Sequence, residues 1–136
     1  MPTDPPSGEP PPEAAPLPSG EWLELEPVVL EICRRYRSEF PDEVNRYGDA
    51  GFEWCLHDNR YLVAWAAHDV EDLGVDLINE VEWLAQVLRA RDFPLDRLAR
   101  DLEIAAEVAD DQAAARSPKL AGRLREAAEH VRSRLV

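Results

Sequence analysis

The sequence predicts an all-α protein: an antiparallel four- to five-helix bundle behind a disordered, proline-rich tail. Three observations lead there. Apolar residues of the body recur at i, i+3, i+4 and i+7 spacing, the period of a helix with one buried side. No run of alternating β-branched residues and no Asn-Gly hairpin signal occurs. Eight of the twelve prolines fall in residues 1–20. The other four, Pro27, Pro41, Pro94 and Pro118, each stand where a helix can begin or end.

Residues 1–20 contain three acids, no base and no aromatic residue. Such a stretch buries too little surface to offset its ordering entropy, so a disordered leader leaning to polyproline II is expected. Residues 21–136 are expected to form one bundle domain. A first helix is predicted over about 26–39, on Val28, Val29, Ile32, Cys33 and Tyr36, and Pro41 stops it. A short helical turn is predicted over 42–47, and Gly48 and Gly51 bracket a break.

The second helix, about 50–72, carries the most information. At ~100° per residue, Phe52, Cys55, Leu56, Asn59, Leu62, Val63, Ala66 and Val70 share one face. Trp54, Tyr61, Trp65 and His68 fall in a narrow stripe on roughly the opposite side. A surface helix shows one apolar face; this one shows two. Gly74 ends the segment.

The third helix, about 75–91, turns Leu77, Ile78, Val81, Leu84, Ala85 and Leu88 inward and Trp83 the other way, beside Asn79 and Gln86. Asp92-Phe93-Pro94 separates it from the fourth helix, about 95–110, with Leu95, Leu98, Leu102, Ala105 and Ala109 as its stripe. Ser117-Pro118 reads as cap and first position of the fifth helix, about 118–135. Leu120, Leu124, Ala127, Ala128, Val131 and Leu135 form its buried side. Short connections between amphipathic helices favour antiparallel packing.

Asp and Glu number 28 against 15 Lys and Arg, a net charge of −13. That balance argues against nucleic acid and anionic membrane as partners, since both demand a basic face. No apolar run reaches the ~20 residues that span a bilayer, and the first residues do not read as a signal peptide. A soluble, cytoplasmic protein is expected. Cys33 and Cys55 belong to no metal-ligand spacing and read as small core residues. The last helix is basic, through Lys119, Arg123, Arg125, Arg132 and Arg134. The stretch between Arg60 and Arg89 has no base but six acids, Asp69, Glu71, Asp72, Asp76, Glu80 and Glu82. Those acids either pack beside the basic last helix or form a docking surface for a basic partner.

Catalytic constellations are not legible. His57 and His68 are ~16 Å apart along a helix and cannot share one ion. No paired Glu-x-x-His motif of a di-metal bundle occurs. No Gly-x-Ser-x-Gly, phosphate-binding loop or dinucleotide fingerprint is present. No enzyme activity and no metal site are therefore expected. The aromatic stripe is the remaining candidate. Either the second helix is central and covered on both sides, or Trp54, Tyr61, Trp65, His68 and Trp83 form a partner or ligand surface.

Tyr47-Gly48, the segment Trp54 to Leu62, Glu82-Trp83-Leu84, Leu88, Arg91 and Phe93-Pro94-Leu95 supply a resemblance. Over about 47–108 the chain resembles helical bundle modules adjoining cobalamin-binding domains in bacterial regulators and corrinoid proteins. More loosely, it is similar to the helical sensory bundles of stress-response regulators. The Asp-x-His-x-x-Gly motif of the partner domain is absent: Ala66 stands in place of the Asp, and Gly74 is wrongly spaced from His68. The resemblance implies a free-standing helical half, with Trp65 and His68 the residues to cover a cofactor. Two functions follow as expectations. The first is a non-enzymatic regulatory or interaction module that presents the stripe and the acidic surface to a protein partner or a second copy. The alternative is a module that holds a tetrapyrrole or corrinoid.

Overall fold

A computed structural model describes residues 6–135. Residues 1–5, where the expected tail begins, lie outside the described residues, as does residue 136. Among the described residues, five helices follow a two-stranded hairpin. They are α1 Leu25–Glu39, α2 Glu43–Val70, α3 Leu77–Ala90, α4 Leu95–Ala113 and α5 Leu120–Ser133. The all-helical expectation holds for the body, and no helix among the described residues is long and apolar enough to cross a membrane.

The hairpin corrects the expectation of a wholly disordered tail. β1, Ala14–Pro16, pairs antiparallel with β2, Trp22–Glu24, in the register Ala15↔Leu23. The amide of Leu25 donates to the carbonyl of Glu13 and extends the ladder. Gly20, at φ +89°, supplies the left-handed residue of the turn. Pro16 is accommodated because each strand of a two-stranded ribbon has an open edge. Ala15, Leu17, Leu23 and Leu25 are buried in the bundle core. Four apolar side chains on a ribbon that covers the helices offset the ordering cost that proline content alone suggested.

α2 packs on β1, α1, α3 and α5 and so runs through the middle of the assembly. Its first turn and its long segment are joined across Gly48, whose φ of 63° and ψ of −154° lie outside helical space. The expected break near Gly48 is thus a kink within one element. Gly51 sits against Tyr47: a Cβ there would lie 2.9 Å from the Cβ of Tyr47.

α4 and α5 form the most extensive helix pair. Ala105, Ala106, Ala109 and Ala113 of α4 and Ala121, Ala127 and Ala128 of α5 are all buried, and small side chains let two helix backbones approach. Asp76 caps α3 by accepting from the amides of Ile78 and Asn79. At α5 the expected Ser117 cap is not made. The helix begins at Leu120 with Lys119 in the cap position and no side-chain cap bond, and Ser117 contributes its carbonyl to the amide of Leu120. Leu135, expected inside, lies past the last helical turn and is exposed.

Candidate functional site

The aromatic stripe of α2 forms a continuous ladder. Trp54 and His57 have ring centroids 5.3 Å apart, His57 and Tyr61 5.2 Å, and Tyr61 and Trp65 5.6 Å. The spacing i, i+3, i+7, i+11 stacks these side chains along one side of the helix. His57 was not among the site residues expected from sequence, although that spacing contains it. All four residues are half-buried, and Trp65 also packs against the core.

The ladder is one wall of a cleft of about 820 Å³ between α2 and α3. Trp83, Asn79 and Glu80 of α3 line the opposite wall, Arg91 lies at one end, and Ser7 and Glu9 reach the cleft from the N-terminal segment. Trp83 is 57% exposed. The guanidinium carbon of Arg91 lies 5.7 Å from the Trp54 ring centroid. Asp58 also lines the cleft, and its Oδ1 is 3.0 Å from Nδ1 of His57.

The structure thus brings together Trp54, Tyr61, Trp65 and Trp83, and leaves out His68. Nδ1 of His68 hydrogen-bonds the carbonyl oxygen of Ala64 at 2.7 Å, and the residue does not line the cleft. Its azimuth on the helix is right, but the carbonyl one turn back captures the imidazole.

The acidic stretch divides. Oδ1 and Oδ2 of Asp69 accept from Nε and Nη2 of Arg123 at 3.1 and 3.0 Å, and the amide of Leu77 donates to Oδ2 at 2.6 Å. Burial opposes ionisation of Asp69, but Arg123 and the Leu77 amide outweigh it and hold the carboxyl below its ordinary value. Asp76 is the α3 cap and also lies 3.6 Å from Arg123. Glu82 pairs with Nε2 of His130 and with Arg134, each at 2.8 Å. These three acids serve the junction with basic α5. Glu71 and Asp72 lie in the turn after α2, and Glu80 is turned to the cleft. A single acidic face made from all six residues is therefore not what the fold assembles: α5 covers half of it.

Behind the cleft, sharing Asp58, Leu84 and Leu88 with it, is a smaller cavity of about 50 Å³. Its polar groups come from three helices. The hydroxyl of Tyr36 donates to Glu43, which also accepts from Arg97 at 2.9 Å. Nδ2 of Asn59 donates to Oδ1 of Asp101 at 3.1 Å and to the carbonyl of Cys55 at 2.9 Å. Asn59 is 2% exposed, and its Oδ1 finds no donor among the described residues. Asp101 is 7% exposed. Burial drives its carboxyl up to about 7; Asn59 opposes the rise, while Asp58 and Glu43 add to it. Burial and the Glu43 acceptor likewise push the Tyr36 phenol up.

A carboxyl that titrates near neutrality is suited to moving a proton. The space beside it admits a few waters, at ~10–15 Å³ each, and no organic substrate. Sequence reasoning missed both residues, though Asn59 on an apolar helix face was a visible signal. Among the described residues, no three His, Cys, Asp or Glu side chains converge to hold a metal ion. Comparison with family models, curated proteins and solved structures gives no match.

Proposed function

We propose that the protein is a non-enzymatic interaction module whose α2–α3 cleft receives a segment of a protein partner. One observation carries the reading. The ladder of Trp54, His57, Tyr61 and Trp65 opens onto a cleft of about 820 Å³ with Trp83 exposed across from it. Large aromatic side chains left at the wall of a groove supply the anchors of protein interfaces. The cleft volume also lies in the range of ligand sites, ~300–1,000 Å³. Of the expected acidic docking surface, Glu80, Glu71 and Asp72 are the residues not tied to α5 by a hydrogen bond or ion pair among those described.

The test is photo-crosslinking from a probe placed at Asn79, identification of the captured partner, and titration of that purified partner. Trp83→Ala and Tyr61→Ala should each weaken its binding at least tenfold with circular dichroism unchanged. Equal affinity for wild type and both variants overturns the reading. Sedimentation of the purified chain decides whether the partner is a second copy.

The second reading is a flat cofactor between the helices, a tetrapyrrole or corrinoid. The cleft volume favours it. The residues fit it poorly, since His68 is bonded to its own helix and His57 is held by Asp58 between two rings. Titration with haemin and with cobalamin, followed by visible absorbance, checks it. A Trp83-dependent spectral shift would put this reading first.

A further inference from the structure

We infer that the cleft is built for a cationic side chain, and that the partner segment it receives carries arginine or lysine. The inference rests on the docking reading and adds the chemistry of the occupant. Three observations converge on it.

The walls are aromatic on both sides, through Trp54, Tyr61 and Trp65 on α2 and Trp83 on α3. The face of an aromatic ring carries negative quadrupole and attracts cations, indole most strongly. Among the described residues, the fixed charges lining the cleft are acid-rich: Asp58, Glu80 and Glu9 beside the guanidinium of Arg91. Finally, the chain itself places a guanidinium on this wall, since Arg91 lies over the Trp54 ring at 5.7 Å. One ring of that wall, Trp54, is thus already engaged by the kind of group proposed for the occupant.

Other occupants meet the same groups less well. An anionic segment faces three carboxylates. A purely apolar segment would strip water from Glu80 and Asp58 and return no hydrogen bond to Glu80, which is costly. A guanidinium or ammonium stacks on the rings and pairs with the rim acids at once. The ladder from Trp54 to Trp65 spans eleven residues of helix, about 16 Å. That length accommodates about five residues of extended chain, so a peptide segment fills it where a small free cation would not.

The experiment uses four probes on the full chain: a capped peptide alternating arginine and glycine, its glutamate counterpart, a capped neutral peptide of proline and tryptophan, and tetramethylammonium. Calorimetry and tryptophan fluorescence read binding. Any basic peptide is drawn to a chain of net charge −13, so the deciding variant is Trp83→Ala, which leaves charge unchanged and alters an exposed side chain. We expect the arginine peptide to bind at one site. Its affinity should fall about tenfold in Trp83→Ala and severalfold in Glu80→Gln, and the glutamate peptide should not bind.

Arginine-peptide binding that Trp83→Ala leaves intact would reduce the effect to surface charge and overturn the inference. Trp83-dependent binding of the neutral peptide alone would overturn the cationic chemistry and leave the docking reading standing. Tetramethylammonium binding as tightly as the peptide would replace the segment with a free organic cation. Failure of all four probes would remove the inference, and the crosslinking experiment would then judge the docking reading separately.

Discussion

The Asn59 side chain on α2 donates a hydrogen bond to the Asp101 carboxylate on α4 across 3.1 Å, inside the apolar core. The same amide nitrogen holds the carbonyl of Cys55 one turn back. This pair is a buried polar contact between two helices that also meet through the Glu43–Arg97 ion pair. It lies on the floor of the small cavity, one layer behind the aromatic cleft. Asp101 in this position makes stability depend on pH in an unusual direction.

Burial raises the Asp101 carboxyl from 3.8 to about 7. Between those values the unfolded chain has lost the proton and the folded chain keeps it. The folded state then binds more protons, so stability falls as pH rises through this window. Below pH ~4 the contribution is fully present, and above ~7 it is gone. Asp101→Asn should abolish this slope. Relative to wild type it should be near neutral at pH 4 and stabilising by about 2–4 kcal/mol at pH 8, by urea titration. A difference that does not change with pH would refute the assignment.

Asp69 acts in the opposite sense. Its carboxyl is held low by Arg123 and the Leu77 amide against the effect of burial, so its contribution is complete above the ordinary carboxylate range. It is lost as pH falls through the lowered value. Arg123→Ala removes a two-pronged partner from the α2–α5 junction and should cost about 1–3 kcal/mol at pH 7. The cost should shrink as pH falls beneath the ordinary carboxylate range, measured by thermal melts across pH.

Leu17 packs into the core from the hairpin turn. Leu17→Ala should cost about 2–4 kcal/mol of unfolding free energy. Had the leader been a solvated tail, the change would be neutral. Chemical denaturation at pH 7 separates the two outcomes.

Trp83 and Trp65 should part company. Trp83→Ala trims an exposed side chain and should alter stability by less than about 0.5 kcal/mol. Trp65 touches both core and cleft, so Trp65→Ala should cost about 2–3 kcal/mol while leaving the helical dichroism of the remaining fold intact. Paired melts and denaturation curves test both numbers.

The Cys55 thiol is pushed well up by its neighbour Cys33 and by burial. Thiolate is the reactive form. Cys55 should therefore resist iodoacetamide at pH 8 in the folded protein and react within minutes in urea. Fast labelling of the native chain, mapped to Cys55 by peptide mass, would show that the site opens.

The helices were legible because their periodicity is local. Val28, Val29, Ile32 and Tyr36, or Leu95, Leu98 and Leu102, define a buried face from spacing alone, and all are buried. Trp54, Tyr61 and Trp65 were readable as a second face for the same reason. His68 shared their azimuth and misled, because azimuth does not report what a side chain bonds to. The hairpin was invisible because its strands are only three residues long and the first lies inside a proline-rich stretch. Their pairing becomes favourable only when a helical surface is there to receive Ala15 and Leu17.

By itself, the sequence determined the helical class, the position of most helices, the two-faced character of α2 and the excess of acid, since each follows from residue type and from contacts within a few turns. The tertiary structure alone decided which acids α5 neutralises, that α2 and α3 stand apart to leave a cleft, and that Asn59 and Asp101 meet inside. Those are pairings between residues far apart in the chain. Their geometry depends on how whole helices dock, and docking is set by the summed shape and charge of surfaces that no local pattern records.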